Sequence, residues 1–152
     1  MRKTLRTKII FVLISLGVGA LSALLTKDSM DIFDTVTKPP LTPPATVFPI
    51  VWTILFILMG LGAARVYLKE PGGRALYIYG LNLVVNFFWS IIFFNFRSFG
   101  FAFIWLLLLI AVVALMIISF FRIDKLAAYF QIPYFIWLIF AGYLNLFIYL
   151  AN

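Results

Sequence analysis

The chain of 152 residues contains neither cysteine nor histidine, and only five of its residues are acidic. Without cysteine there is no disulfide, no thiolate nucleophile and no thiolate metal ligand. Without histidine there is no imidazole base, and zinc and haem iron lose their usual ligands. The acids Asp28, Asp31, Asp34, Glu70 and Asp124 all stand between apolar segments, so a carboxylate relay at membrane depth is excluded. No metal site and no conventional catalytic set is expected. Charged residues of both signs make up 11% of the chain against 65% hydrophobic, with mean hydropathy +1.14. That balance excludes an ordinary soluble domain and describes an integral membrane protein.

What fills the chain is apolar runs. We expect an all-α integral membrane protein, a bundle of five transmembrane helices forming one domain over residues 1–152, with spans at about 9–26, 48–67, 75–94, 99–121 and 126–149. Each approaches the ~20 residues that cross a hydrocarbon core. The basic start followed by an apolar run fits a signal peptide. The run is long for one, however, and Gly17, Gly19, Ser22 and Ala23 suit close packing between helices, so it reads as a retained first helix. Residues 27–47 carry three aspartates, two lysines and Pro39, Pro40, Pro43 and Pro44. Proline forces its predecessor toward extended backbone and donates no hydrogen bond, so this segment cannot span lipid. It is a loop longer than a helix connection needs, either a solvated linker or a lid over a pocket. Pro49 sits harmlessly in a first turn, whereas Pro133 lies inside the fifth span and should kink or loosen it.

With the N-terminus inside, the inner face carries Arg2, Lys3, Arg6, Lys8, Arg65, Lys69, Arg74, Arg122 and Lys125, and the outer face only Lys27, Lys38 and Arg97. The bias predicts a cytoplasmic N-terminus, with the proline-rich loop and the C-terminus on the opposite side. The net charge of +7 is therefore a topology signal, and nucleic acid is not an expected partner; the anionic surface available is lipid headgroups.

The polar residues inside the spans are few and share faces. In the third span Asn82, Asn86, Trp89 and Phe93 return to one side of a helix; in the fifth, Trp137, Ala141, Leu144 and Asn145 do so. Trp52, Leu55, Phe56 and Met59 form an aromatic and apolar stripe in the second span. Such a stripe serves core packing, lipid contact or a ligand, and Trp52 near a helix end also suits an interface anchor. The amides and indoles either bond to one another across the bundle or line a cavity in which they orient a mostly apolar ligand, with Ala141 leaving space between bulky neighbours.

Taken in order, Lys38-Pro39-Pro40-Leu41-Thr42-Pro43-Pro44, Phe48-Pro49-Ile50-Val51-Trp52-Thr53, Met59-Gly60, Leu81-Asn82-Leu83 with Asn86, Trp89, Phe93-Phe94, Arg97 and Gly100, and Pro133-Tyr134 with Trp137, Phe140-Ala141 and Leu144-Asn145 resemble the translocator protein family, also called tryptophan-rich sensory proteins or peripheral-type benzodiazepine receptors. The match covers nearly the whole chain and suits a bacterial member. The resemblance implies a five-helix bundle, commonly a homodimer, with a ligand pocket closed by the loop between the first two helices. It further implies a receptor for tetrapyrroles such as protoporphyrin IX, for sterols, and for isoquinoline carboxamides or benzodiazepines; no bound cofactor is required. Carried over by motif, the pocket falls on Ser22, Trp52, Asn86, Trp89, Leu108, Trp137, Ala141 and Leu144, which Asn145 joins through its shared face. Some bacterial members are described as degrading porphyrin in light, and the tryptophans for that chemistry would be Trp52 and Trp137.

The chain departs from the family pattern in three ways. Tyr149 is followed by Leu150, Ala151 and Asn152, without the basic residue of the proposed sterol motif, which weakens sterol as ligand. Trp105 stands where members often carry an acid in the fourth helix. Phe87 and Phe101 replace tryptophans of some members, keeping the aromatic wall and losing an indole N–H at each place. Because iron has no familiar ligand here, a metal-free porphyrin is expected, stacked on Trp52, Trp89 or Trp137 with propionates toward Lys27, Lys38 or Arg97. Its loss in light would then proceed by proximity of oxidisable indoles to the excited ligand rather than by acid–base catalysis. The rival readings are a transporter or a sensor for porphyrin, sterol or other lipid-like ligands; ion-coupled transport lacks midplane charge and an inverted repeat. Small residues Gly17, Gly19, Ala23 and Gly60 offer themselves to a dimer contact or to packing within one bundle.

Overall fold

The computed structural model describes residues 2–29 and 31–152, and at 32 and 33 the backbone only. Among the described residues seven α-helices follow one another: α1 (Arg2–Thr26), α2 (Ile32–Thr35), α3 (Val47–Lys69), α4 (Arg74–Ser90), α5 (Phe99–Ile123), α6 (Lys125–Tyr129) and α7 (Ile132–Ala151). A 3₁₀ turn at Lys27–Ser29 extends α1, and a π-helical turn at Ile91–Asn95 extends α4. No strand occurs among the described residues. Five units are long and apolar enough to cross a bilayer: α1 with its 3₁₀ turn, α3, α4 with its π turn, α5, and α6 joined to α7. Their outward surfaces are aliphatic and open, as at Leu13, Ile104 and Ile136, each more than 60% exposed. Water would make such a surface costly; lipid tails do not.

The first helix starts at Arg2 rather than near residue 9, because the basic leader continues the helical hydrogen bonding. The fifth span is interrupted ahead of Pro133 rather than at it. Phe130 and Gln131 part α6 from α7, which leaves Pro133 in the first turn of α7, where its missing N–H breaks nothing.

α1 runs antiparallel along α3, α4 packs along α5, α5 along α7, and α6 against α3. The α1–α3 approach is close because both helices present glycine. A Cβ at Gly60 would lie 2.5 Å from the Cα of Val12, and one at Gly19 would lie 2.6 Å from the Phe56 ring. Gly19 and Gly60 thus serve the bundle itself, whereas Gly17 has nothing within 4 Å of the same position. The core holds Met59, Leu106, Leu109, Val113, Met116, Phe120, Tyr134 and Leu138, each with 1% exposure or less. Ser15 of α1 meets the Tyr79 hydroxyl of α4 at 2.6 Å.

At the charge-rich end, Asp124 closes the bundle. Its carboxylate caps α6 by accepting from the Ala127 amide at 2.9 Å, takes a two-pronged contact from Arg65 (3.1 Å to each oxygen), and meets Lys69 Nζ at 2.9 Å. Burial alone would favour the neutral acid. Lys69, the Ala127 amide and Arg65 outweigh it and hold the Asp124 carboxyl well below the usual carboxylate range.

Candidate functional site

A cavity of about 220 Å³ opens at the opposite end, between the last turns of α1, the first turns of α3, the end of α4 and the middle of α7. Its floor and walls are apolar and aromatic: Phe48, Trp52 and Phe56 from α3, Trp89 with Phe93 and Phe94 from α4 and its π turn, Trp137, Leu144 and Ile148 from α7. Gly19, Ser22, Ala23 and Thr26 form the α1 side, and Ala45 brings the loop to its rim. Rings interlock around it. Trp89 stacks on Phe93 at 5.2 Å between centroids, Phe48 meets Trp137 edge-on at 5.6 Å, and Trp52 meets Tyr134 at 6.1 Å.

Of the nine residues assigned to a pocket from sequence, Ser22, Trp52, Asn86, Trp89, Trp137, Ala141, Leu144 and Asn145 line this cavity. Leu108 does not, and its assignment is corrected here. It lies on the outward face of α5 with 47% exposure. The inward face of α5 is set by Ala102, Leu106, Leu109 and Val113, and at 100° per residue Leu108 projects roughly 130° away from that face. α5 contributes nothing to the cavity wall. The sequence reading passed over Thr26, Phe48 and Ile148. Ile148 follows Ala141 and Leu144 at helical spacing, and Phe48 stands four residues before Trp52, so both faces were available to it.

The polar groups are largely spoken for. Tyr134, which lies one turn before Trp137, receives the Asn86 amide at 2.7 Å and donates to Asn82 Oδ1 at 2.6 Å; Asn82 in turn points its Nδ2 at Met59 Sδ, 3.4 Å away. Trp89 donates its indole N–H to Asn145 Oδ1 at 3.1 Å, and Asn145 donates to the Phe99 carbonyl at 2.9 Å. Bonding across the bundle and lining a cavity are therefore both true of Asn86, Trp89 and Asn145. Trp137 differs. Its indole nitrogen is buried without a hydrogen-bond partner. Trp105, at the position of the missing acid, donates to the Val85 carbonyl at 2.8 Å and so ties α5 to α4.

The loop is fastened to α7 rather than draped loosely. The Asn152 side chain accepts from the Thr37 amide at 3.1 Å and donates to the Thr37 carbonyl at 3.2 Å, and the Tyr143 hydroxyl donates to the Pro40 carbonyl at 3.1 Å. On the other flank Asn95 donates to the Leu25 carbonyl at 3.1 Å. Leu41, at the exposed tip, holds a left-handed backbone with φ 71°. Lys27, Lys38 and Arg97 are not among the cavity-lining residues.

A family model described as TspO/MBR family matches residues 11–150. The chain belongs to that family. It is 33% identical to the tryptophan-rich protein TspO of Chlorobaculum tepidum over 150 residues, 95% of each chain. It is 36% identical to the tryptophan-rich sensory protein of Cereibacter sphaeroides, covering 74% of this chain and 72% of that one. The human translocator protein is 37% identical over 71% of this chain and 67% of its own. Family and fold together make this chain an integral, multi-pass membrane protein of five transmembrane helices.

Within the TspO/MBR frame the described residues hold no cluster of three or more potential metal-binding acids. The cavity offers aromatic faces, a hydroxyl at Ser22 and one unpartnered indole N–H. Its lining suits an apolar, unsaturated molecule with an acceptor atom.

Proposed function

We propose that the cavity is the binding site of a tetrapyrrole of the protoporphyrin IX type, and of drug-like aromatic amides of comparable shape, making the protein a membrane receptor for such ligands. The observation that carries this reading is the Trp137 indole, buried and unpartnered within an aromatic wall. An unpaired buried donor costs about 1–3 kcal/mol, which an acceptor on a ligand removes. Stacking on Trp52, Trp89 and Trp137 supplies the remainder. At about 220 Å³ the cavity is smaller than the ~300–1,000 Å³ of drug-sized sites. A macrocycle therefore enters only with outward movement of the loop, and its carboxylates remain near the loop, within reach of basic side chains there. Under illumination dissolved dioxygen would be the oxidant: the excited porphyrin would pass energy or an electron to it, and the indoles of Trp52 and Trp137 would trap the excited state or the oxygen species formed, a slow reaction that rests on proximity. The charge bias supports an orientation with the cavity end outside and the N-terminus in the cytoplasm. We further propose that the protein works as a homodimer.

A titration of purified protein with protoporphyrin IX, in the dark and then illuminated, tests this reading against Trp137→Phe. Saturable binding with light-dependent porphyrin loss that the variant lacks is the expected result. Saturable binding with no loss beyond free porphyrin leaves a receptor without photochemistry; no binding refutes the ligand class and turns attention to movement of other lipids. A sensor reading is favoured by one specific feature, the Asn152 and Tyr143 clasp, because displacing the loop would break it and expose a changed surface to a partner.

A further inference from the structure

The charge-rich end carries a second cavity that the ligand site does not use. It measures about 370 Å³ and is lined by Lys3, Arg6, Thr7, Ile10, Phe11 and Tyr67, in the groove between the start of α1 and the end of α3. Phe11 and Tyr67 form its inner wall, their rings 5.4 Å apart. Neither Lys3 nor Arg6 is in an ion pair among the described residues: of the acids at this end, Asp124 is taken by Arg65 and Lys69, and Glu70 pairs with neither. The hydroxyls of Thr7 and Tyr67 have no hydrogen-bond partner among the described residues either. Two cations and two free hydroxyls around one concavity make a recognition set for a phosphate.

A stripe on α1 says what else such a ligand carries. Lys3, Thr7, Ile10, Ile14, Gly17 and Leu21 follow at helical spacing; Ile10, Ile14 and Leu21 are 44–49% exposed, and no atom lies within 4 Å of a Cβ built at Gly17. An open apolar track thus runs from the phosphate-type groove along the helix into the depth of the bilayer. A free phosphate has no use for it. We propose that the groove holds the phosphate of one anionic phospholipid, with Lys3, Arg6, Thr7 and Tyr67 around the headgroup and an acyl chain along α1 at Ile10, Ile14 and Gly17.

Native mass spectrometry tests the proposal on full-length protein extracted from vesicles of phosphatidylglycerol and phosphatidylcholine mixed one to three. The expected result is one retained phosphatidylglycerol per chain, reduced about tenfold in Lys3→Ala/Arg6→Ala and less than twofold in Arg122→Ala/Lys125→Ala. A bulky Gly17→Leu should lower retention with the headgroup residues intact, which a purely electrostatic surface would not show. Equal losses in the two double variants would overturn the site in favour of general surface charge. Equal retention of phosphatidylcholine would overturn its charge selectivity, and displacement of the lipid by millimolar inorganic phosphate would make the groove a free-phosphate site.

Discussion

Tyr134→Phe removes a single oxygen from the centre of the bundle and leaves the ring in place. That oxygen accepts from Asn86 at 2.7 Å and donates to Asn82 at 2.6 Å; Tyr134 and Asn82 are fully buried and Asn86 nearly so. Asn82 has no exposed surface and Asn86 only the little it shows the cavity, so both amides lose a partner together. Each unpaired buried group costs about 1–3 kcal/mol in soluble proteins. Interhelical hydrogen bonds in membranes are weaker, about 0.6 kcal/mol on average and up to ~1.7, because the separated helices also find partners. Two such bonds therefore set an expected loss of about 1–3 kcal/mol, or roughly 2–12 °C of melting temperature at 2–4 °C per kcal/mol for a chain of this length. The assay is thermal unfolding in a fixed detergent, with Asn82→Leu and the double variant completing a cycle. Because Asn82→Leu removes one of the groups that Tyr134→Phe strands, the double variant should lose less than the sum of the two single losses. Additive losses within about 0.3 kcal/mol, or a Tyr134→Phe melting point within 1 °C of the parent, would refute the network as a stabilising element.

Other outcomes follow from the same geometry. Gly60→Val should prevent a monodisperse, folded preparation, because its Cβ would meet the α1 backbone 2.5 Å away. Gly17→Ala, with nothing within 4 Å, should be neutral or stabilising by up to ~1 kcal/mol from helix propensity; size-exclusion profiles and melting curves compare the pair. Asp124→Asn keeps a capping side chain and loses the charge. The folded carboxyl titrates below its unfolded value, so the stability it contributes is present above about pH 4 and is lost as pH falls further. At pH 7 the variant should lose about 1–3 kcal/mol, and below pH 4 its difference from the parent should shrink, which melting curves at pH 7, 5 and 3 decide. Ala141→Phe, filling the cavity beside Trp137 and Leu144, should weaken protoporphyrin binding at least tenfold with melting temperature held within a few degrees, read by fluorescence titration.

Much of this arrangement was legible before any coordinate was known, and the reasons differ from residue to residue. Amides are costly in hydrocarbon, so Asn82, Asn86 and Asn145 had to face inward; helical spacing then carried Trp89, Phe93, Trp137 and Ala141 with them. Leu108 shows the limit of transfer by resemblance. Spacing alone, counted from Leu106 and Leu109, turns it toward lipid, and in lipid a leucine on either face looks alike. The hub at Tyr134 was visible only as part of a motif, since a tyrosine near a helix start reads equally as an interface anchor. The π turn at Ile91–Asn95 has no proline or glycine to announce it, and the break at Phe130–Gln131 precedes the proline that signals it.

The π turn repays attention for what it does to the wall. The turn, with Phe96 N–H bonding Ile91 C=O five residues back at 3.1 Å and Ser98 N–H bonding Ile92 C=O six residues back at 3.2 Å, widens the helix locally and shifts the phase of the residues on it. Phe93 and Phe94, adjacent in sequence, would project about 100° apart on a regular helix, yet both line the cavity with Trp89, their rings 4.9 Å apart. The aromatic density of the site thus depends on an irregular backbone at the end of α4. The polar side chains make the complementary contribution. Asn82, Asn86 and Asn145 are bonded across helices, so the bundle is held by the groups that a ligand would otherwise compete for. At the cavity wall the buried Trp137 donor is left over beside the Ser22 hydroxyl, and a site built this way would select by shape and aromatic contact first, with few directional bonds to set the orientation.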